Sequence, residues 1–346
     1  MHLLALETAD PPNCYTQQEC HSIFMASRAR QRLKARSVDI MEKVLLRNNG
    51  IETRHFSYPD IETIFDADPE KLNRVFEATA PTLGSEALTK ALHAAGLKAS
   101  ELDGLFVCTC TGYLCPGLSS FIAERVGLRA NAELNDLVGM GCGAAIPTLR
   151  NVMHRLQAAP SLRIGMVAVE VCSAAFYLDD NPGVIISACL FGDGAAASIW
   201  TGNSTVIGSL EAHSFQGLHR PEKREILRFE NAGGALRNRL HKSVPEEASD
   251  AVQGLFQSSF PKGQPPGLSI LPHTGGRDVL DALETRLPGN SFQESRKVLR
   301  HHGNMSSPSI LYVLKRHLEE AEDKPDNLWL TSFGAGFSAY SFKLTR

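Results

Sequence analysis

Strand-like and helix-like segments alternate along nearly the whole of this 346-residue chain, and that alternation confines it to the α/β class. Strand character is read near 103–108, 132–138, 162–171, 194–200, 205–212, 267–272, 327–332 and 337–343, with Met1 to Leu6 as a further first strand. Helical spacing is read over Gln18–Arg47, Pro69–Ala95, Leu118–Val126, Ala144–Gln157, Asn231–Phe256, Asp278–Leu287 and Ser306–Glu320. The strand runs are apolar enough to be covered on both faces, which implies mixed, buried sheets. With 43% apolar residues the chain can fill a large core. The Gly- and Pro-rich stretch Pro261 to Gly267 reads as a loop and not a linker.

Within this alternation, Gly139-Met140-Gly141-Cys142-Gly143-Ala144-Ala145 sits where the strand Glu133 to Val138 gives way to a helix with Ile146, Leu149, Val152, Met153 and Leu156 on one face. Unpaired N–H groups and the positive end of the helix dipole would favour thiolate at Cys142, and the glycines would admit a substrate. A small buried cysteine at a packed turn is the structural alternative.

Two later segments carry the residue types a nucleophilic cysteine needs. Leu268 to Pro272 is an apolar strand that ends at His273-Thr274-Gly275-Gly276, and His301-His302-Gly303-Asn304-Met305-Ser306-Ser307 opens another helix. His273 would stand at a strand's carboxyl end, where α/β sheets place functional groups. Taken alone, His273 also suits a turn and Asn304 a helix cap.

The order of these three segments resembles the type III polyketide synthases, the chalcone and stilbene synthase family. Leu190-Phe191-Gly192-Asp193-Gly194-Ala195-Ala196-Ala197 and Cys108-Thr109-Cys110-Thr111-Gly112 with Pro116-Gly117 follow the same pattern, and the similarity runs from about Val38 to Phe342. The resemblance implies a thiolase-like fold: duplicated α/β halves in five αβαβα layers. The halves would be residues 1–202, carrying the cysteine, and 203–346, carrying the histidine and asparagine, with the boundary near Gly202-Asn203-Ser204. It implies an acyltransferase in which Cys142, His273 and Asn304 are catalytic. Cys142 would load an acyl starter and extend it by decarboxylative Claisen condensation with malonyl thioester, giving a short polyketide such as a pyrone or resorcinol, without a metal or redox cofactor. It assigns the substrate pocket to Thr111, Cys110, Cys115, Phe176, Phe229, Gly334 and Gly336. Leu227 is the alternative to Phe229, and Cys115 would reach across a homodimer interface.

The sequence departs from the family pattern in places. Gly143-Ala144-Ala145-Ile146 follow the cysteine where a bulkier residue is common, and Ser332-Phe333-Gly334-Ala335-Gly336 lacks a family proline. On the early helix that would grip coenzyme A phosphates, only Lys43 and Arg47 match. Upstream, Arg28, Arg30, Arg32, Lys34 and Arg36 form a basic run. That run would suit pantetheine phosphates or an acidic acyl carrier protein, or simply a solvated helix face. The readings that remain are a coenzyme A-dependent polyketide synthase, a carrier-protein-dependent ketosynthase performing one condensation or joining two acyl chains, and a non-catalytic scaffold.

A formal charge of −3 gives no general attraction to nucleic acid, and no apolar run of about 18 residues reads as a bilayer span. Eight cysteines without a secretion signal suggest reduced thiols in a cytoplasmic setting. Cys108, Cys110 and Cys115 lack the Cys-x-x-Cys spacing of a zinc site.

Overall fold

The computed structural model describes residues 1–203, 210–320 and 327–346. The first part of the chain holds strands β1 (His2–Ala9), β2 (Asn13–Thr16), β3 (Thr53–Phe56), β4 (Gly104–Thr109), β5 (Glu133–Val138), β6 (Arg163–Glu170) and β7 (Gly194–Thr201). Its helices are α1 (Gln17–Ala26), α2 (Arg28–Arg32), α3 (Ala35–Leu46), α4 (Pro69–Ala94), α5 (Leu118–Val126), α6 (Ala145–Ala158) and α7 (Pro182–Leu190). Then come β8 (Glu211–His219), β9 (Leu227–Ala232), β10 (Ala235–Leu240), β11 (Leu268–Pro272), β12 (Asn327–Gly334) and β13 (Ser338–Thr345), with helices α8 (Val244–Ser259), α9 (Arg277–Arg286), α10 (Gln293–His302) and α11 (Ser309–Glu320).

The large sheet has the order β11-β12-β13-β8-β1-β7-β6-β4-β5. Read outward from its centre, each side repeats one pattern. A first strand pairs antiparallel with the last strand of its half (β1 with β7, β8 with β13), which pairs antiparallel with the strand before it (β6, β12). That strand in turn runs parallel to an earlier one (β4, β11). The duplication invisible in the residues is plain in the pairing.

Period-two alternation then sorts side chains into layers. Val107, Val167 and Val169 face the long helix α4. Phe106, Cys108, Met166 and Ala168 face a central layer built from α6 and α11. Leu271, Leu328, Leu330 and Phe342 meet that layer from the other half, while Ile270 and Trp329 pack outward against α8 and α9. This is the five-layer αβαβα arrangement. Among the described residues no helix is long and apolar enough to cross a membrane.

Two element readings are corrected. The helix expected over Gln18–Arg47 is three pieces. The Asp66 carboxylate takes the Arg28 and Ala29 N–H groups, and the Asp180 carboxylate takes that of Lys34, so the chain turns at Ser27 and again at Lys34. The helix expected over Asn231–Phe256 begins only at Val244. Before it, β9 and β10 form a hairpin closed by Gly233 and Gly234, both at positive φ, which is the turn chemistry a two-residue loop demands. Of the strand expected at 205–212, residues 205–209 lie outside the described residues, and β8 starts at Glu211. The antiparallel β2–β3 pair, α7 and α10 are additional elements.

Candidate active site

The loop after β5 places Cys142 in a single helical turn, Gly141–Gly143, just ahead of α6. The second half of the fold closes directly onto this loop, which explains its small residues. A Cβ on Gly143 would come within 3.0 Å of the Tyr340 ring. One on Gly334 of β12 would come within 2.6 Å of the Gly143 nitrogen and 3.0 Å of the Cys142 nitrogen.

His273 continues β11, its N–H donating to the Thr331 carbonyl at 2.8 Å, and its ring stands edge-on to Phe333 at 5.3 Å. Gly275 follows at positive φ, where a side chain would strike the Phe333 ring. Asn304 leaves α10 through Gly303, also at positive φ, and its backbone N–H bonds the Leu190 carbonyl at 2.9 Å. Its side-chain Oδ1 accepts from the Ser306 N–H at 2.8 Å and its Nδ2 donates to the Gly275 carbonyl at 3.1 Å. The amide is thereby oriented, with one Nδ2 proton left for a substrate. Asn304 does more than cap a helix: it ties the histidine loop to the cysteine's surroundings.

The electrostatics correct one expectation. Burial pushes the Cys142 thiol up to about 12, opposed by a hydrogen bond from Ser306 and reinforced by the nearby Glu170 carboxylate. Desolvation opposes the helix end and favours the thiol over the thiolate. Burial likewise takes His273 down to about 3, and among the described residues neither of its ring nitrogens has a hydrogen-bond partner. A fully buried imidazole without partners is costly, and such sites mark places where a ligand supplies the bonds.

Glu170, to which no role falls in the sequence pattern, organises the same site. It is fully buried and accepts from the Cys110 and Thr111 N–H groups and from the hydroxyls of Thr109, Thr111 and Ser307. The Ser306 hydroxyl lies 3.4 Å from Oε1, the oxygen that Ser307 bonds, and 3.3 Å from the Cys110 sulfur. A lone Glu at a strand's end carries no local motif, so only the strand position hinted at it. Asp193 of the Phe-Gly-Asp-Gly block is structural in the same way. It is buried, raised to about 6 by desolvation, and bonded to Ser57 and Ser173.

The structure brings Cys110, Thr111 and Gly334 to the cysteine's surroundings. Phe176 is buried between Phe65 and Phe56. Phe229 sits half-buried on the β9–β10 hairpin, and its alternative Leu227 belongs to the outer core of the second half. Cys115 is exposed, and Gly336 lies at the β12–β13 turn against Ser338 and His219. A cleft of about 450 Å³ reaches this region. Its walls include Lys43 and Arg47 of α3, Ile186 and Leu190 of α7, and Gly275; Leu190 and Gly275 are the residues whose carbonyls bond Asn304, while Cys142, His273 and Asn304 do not line it.

Duplicated α/β halves in five layers, with a buried cysteine after a strand of the first half and a histidine and an amide from the second, are the thiolase-like fold. Residues 3–210 match the family model described as FAE1/type III polyketide synthase-like protein, and residues 220–340 that of the C-terminal domain of chalcone and stilbene synthases. The chain belongs to this type III polyketide synthase family. It is 31% identical to a 3,5-dihydroxyphenylacetyl-CoA synthase of Amycolatopsis orientalis, over 71% of this chain and 68% of the relative. It is 28% identical to a 1,3,6,8-tetrahydroxynaphthalene synthase of Streptomyces peucetius subsp. caesius, over 97% and 90%. In fold it is similar to the crystal structure of PKS-I from the brown alga Ectocarpus siliculosus, with a TM-score of 0.88 at 22% identity, covering 99% and 97%. The protein is thus an acyltransferase that extends an acyl starter by decarboxylative Claisen condensation with malonyl thioester and forms a short polyketide.

Proposed function

We propose that Cys142 is the nucleophile, with His273 and Asn304 as its partners, and that both substrates arrive as coenzyme A thioesters. The convergence of Asn304, the His273 loop and the cleft wall on one point carries this reading. Because thiol and imidazole both rest neutral, the thiol proton passes to His273 as the sulfur bonds the starter's carbonyl, and then to the departing coenzyme A thiolate. Malonyl thioester next loses carbon dioxide. The enolate oxygen takes hydrogen bonds from the free Asn304 Nδ2 proton and from a His273 N–H, and the enolate carbon attacks the acyl-cysteine, releasing the Cys142 thiolate.

The cleft supports coenzyme A. Lys43, Arg47, Lys242 and Arg277 offer charge for phosphates, while Pro182, Ile186 and Leu240 suit a pantetheine arm. The basic run at Arg28 to Arg36 is exposed and lines no part of the cleft. Arg32 is paired with Asp66 and Lys34 with Asp180, which leaves a carrier protein less supported. The division at about residue 202 into two halves is supported by the repeated strand order.

A homodimer is supported by β5, an exposed edge strand with Leu134 and Val138 in solvent and Cys115 nearby in the chain, a face that a second copy would cover. A Val138→Lys variant should run as a monomer in light scattering; an unchanged dimer would place the interface elsewhere.

The roles are tested by malonyl-coenzyme A decarboxylation. Cys142→Ala should abolish condensation yet retain decarboxylation, because the enolate donors are intact. Asn304→Ala should slow decarboxylation by on the order of 10²-fold. An unchanged rate in Asn304→Ala would reduce that residue to a cap.

A further inference from the structure

We propose that Asp10, His55 and His302 form a binding site for a divalent metal ion of the zinc class, outside the condensing site. Asp10 follows β1, His55 lies on β3, and His302 ends α10, so residues far apart in sequence meet at one place. Their ligand atoms all lie within 4.8 Å of one another. Each has the support a ligand needs. His55 Nδ1 is 3.0 Å from the Pro11 carbonyl, which makes it the protonated nitrogen and leaves the Nε2 lone pair free. The Tyr312 hydroxyl shares its proton between the Ala9 carbonyl at 2.8 Å and Asp10 Oδ1 at 3.0 Å, which positions the carboxylate.

His302 Nδ1 supplies the discriminating observation. It is buried and lies 3.0 Å from Asp10 Oδ1, a contact that pairs the two groups electrostatically although, among the described residues, no acceptor meets this nitrogen at a good hydrogen-bond angle. Two atoms lying side by side instead of pointing at each other are what neighbouring ligands of one ion look like. Metal bonds of about 2.0–2.1 Å leave such ligands roughly 3 Å apart. The His55 and His302 rings stack at 5.4 Å with 23° between their planes, an arrangement that charging both rings would oppose. Two imidazoles and one carboxylate select zinc-class ions over magnesium or calcium. The ion would clamp the end of α10, two residues before Asn304, to β1 and β3.

The test uses the full chain carrying Cys14→Ser and Cys115→Ser, which removes the exposed thiols. The protein is stripped with chelator, reloaded with zinc, desalted and assayed for metal content, with Co²⁺ visible spectra and melting curves in parallel. One equivalent per chain is expected, with a melting point raised by about 4 °C at a hundredfold excess over Kd. His302→Gln and His55→Gln should each weaken binding by at least about tenfold. His55→Gln leaves the Asp10–His302 pair in place, so loss of metal there with unchanged circular dichroism separates metal ligation from a simple ion pair. No retained ion, retention in both histidine variants, or loss in the serine background alone would overturn the proposal. None of these readouts depends on polyketide synthesis.

Discussion

Gly334→Ala asks whether the two halves of the fold hold the nucleophile between them. The backbone there has no positive φ, so alanine can adopt it and only contact matters. The new Cβ would lie 2.6 Å from the Gly143 nitrogen, 2.8 Å from the Met140 carbonyl oxygen and 3.0 Å from the Cys142 nitrogen. All three are backbone atoms, so no side chain can swing aside, and the cysteine loop must retreat by several tenths of an ångström. Overpacking of this kind costs about 1–3 kcal/mol, within the stability of an ordinary domain. A displacement approaching 1 Å at a reacting atom costs on the order of 10²-fold in rate. The variant should therefore fold, melt a few degrees lower, and lose about that factor in kcat for product formation and in the rate of Cys142 acylation. Gly254→Ala is the control. Gly254 lies on α8 with open space around its missing side chain, and the change should be neutral or stabilise by up to about 1 kcal/mol. Wild-type kcat in Gly334→Ala would refute the packing argument.

Other outcomes follow from the same geometry. Burial sets His273 at about 3 in the fold against 6.5 when exposed, so the folded state resists a proton that the unfolded chain accepts. The stability this contributes is whole above pH 6.5 and shrinks as pH falls, by about 3 kcal/mol at pH 4. His273→Gln should lose about that much less on acidification in urea titrations; equal losses would mean the ring is not held neutral. Glu170→Gln can keep its backbone contacts while the serine hydroxyls rotate, at a cost of about 1–2 kcal/mol. Removing the charge that raises the Cys142 thiol should speed its alkylation by iodoacetamide, and an unchanged rate would show that the carboxylate is not felt. Lys43→Ala with Arg47→Ala should raise KM for acyl-coenzyme A about tenfold with kcat nearly unchanged. A fall confined to kcat would argue against phosphate binding in the cleft.

The sequence discloses those features whose physics is local. Apolar runs of strand length and helical spacing mark most of the sheet and of α4, α5 and α6, and glycines beside Cys142, His273 and Asn304 mark places where backbones approach closely. Distant side chains hide the rest. Nothing near Ser27 or Lys34 says that Asp66 and Asp180 will interrupt the first helix. The hairpin at Gly233-Gly234 was legible as a Gly-Gly turn, but helical spacing further on masked it. The Asn181 cap and Pro182 likewise announce α7. Glu170 was not legible, because its partners come from β4 and from the Ser306-Ser307 segment. Nor was the neutral state of Cys142, because a helix N-terminus is visible in sequence and desolvation is not.

The most direct test of the central claim is intact-protein mass spectrometry after incubation with a panel of acyl-coenzyme A thioesters, with peptide mapping and Cys142→Ala as control. A single acyl adduct on Cys142, absent from the variant and discharged into a longer product when malonyl-coenzyme A is added, is the result expected. An adduct on another cysteine, or condensation that persists in Cys142→Ala, would contradict it.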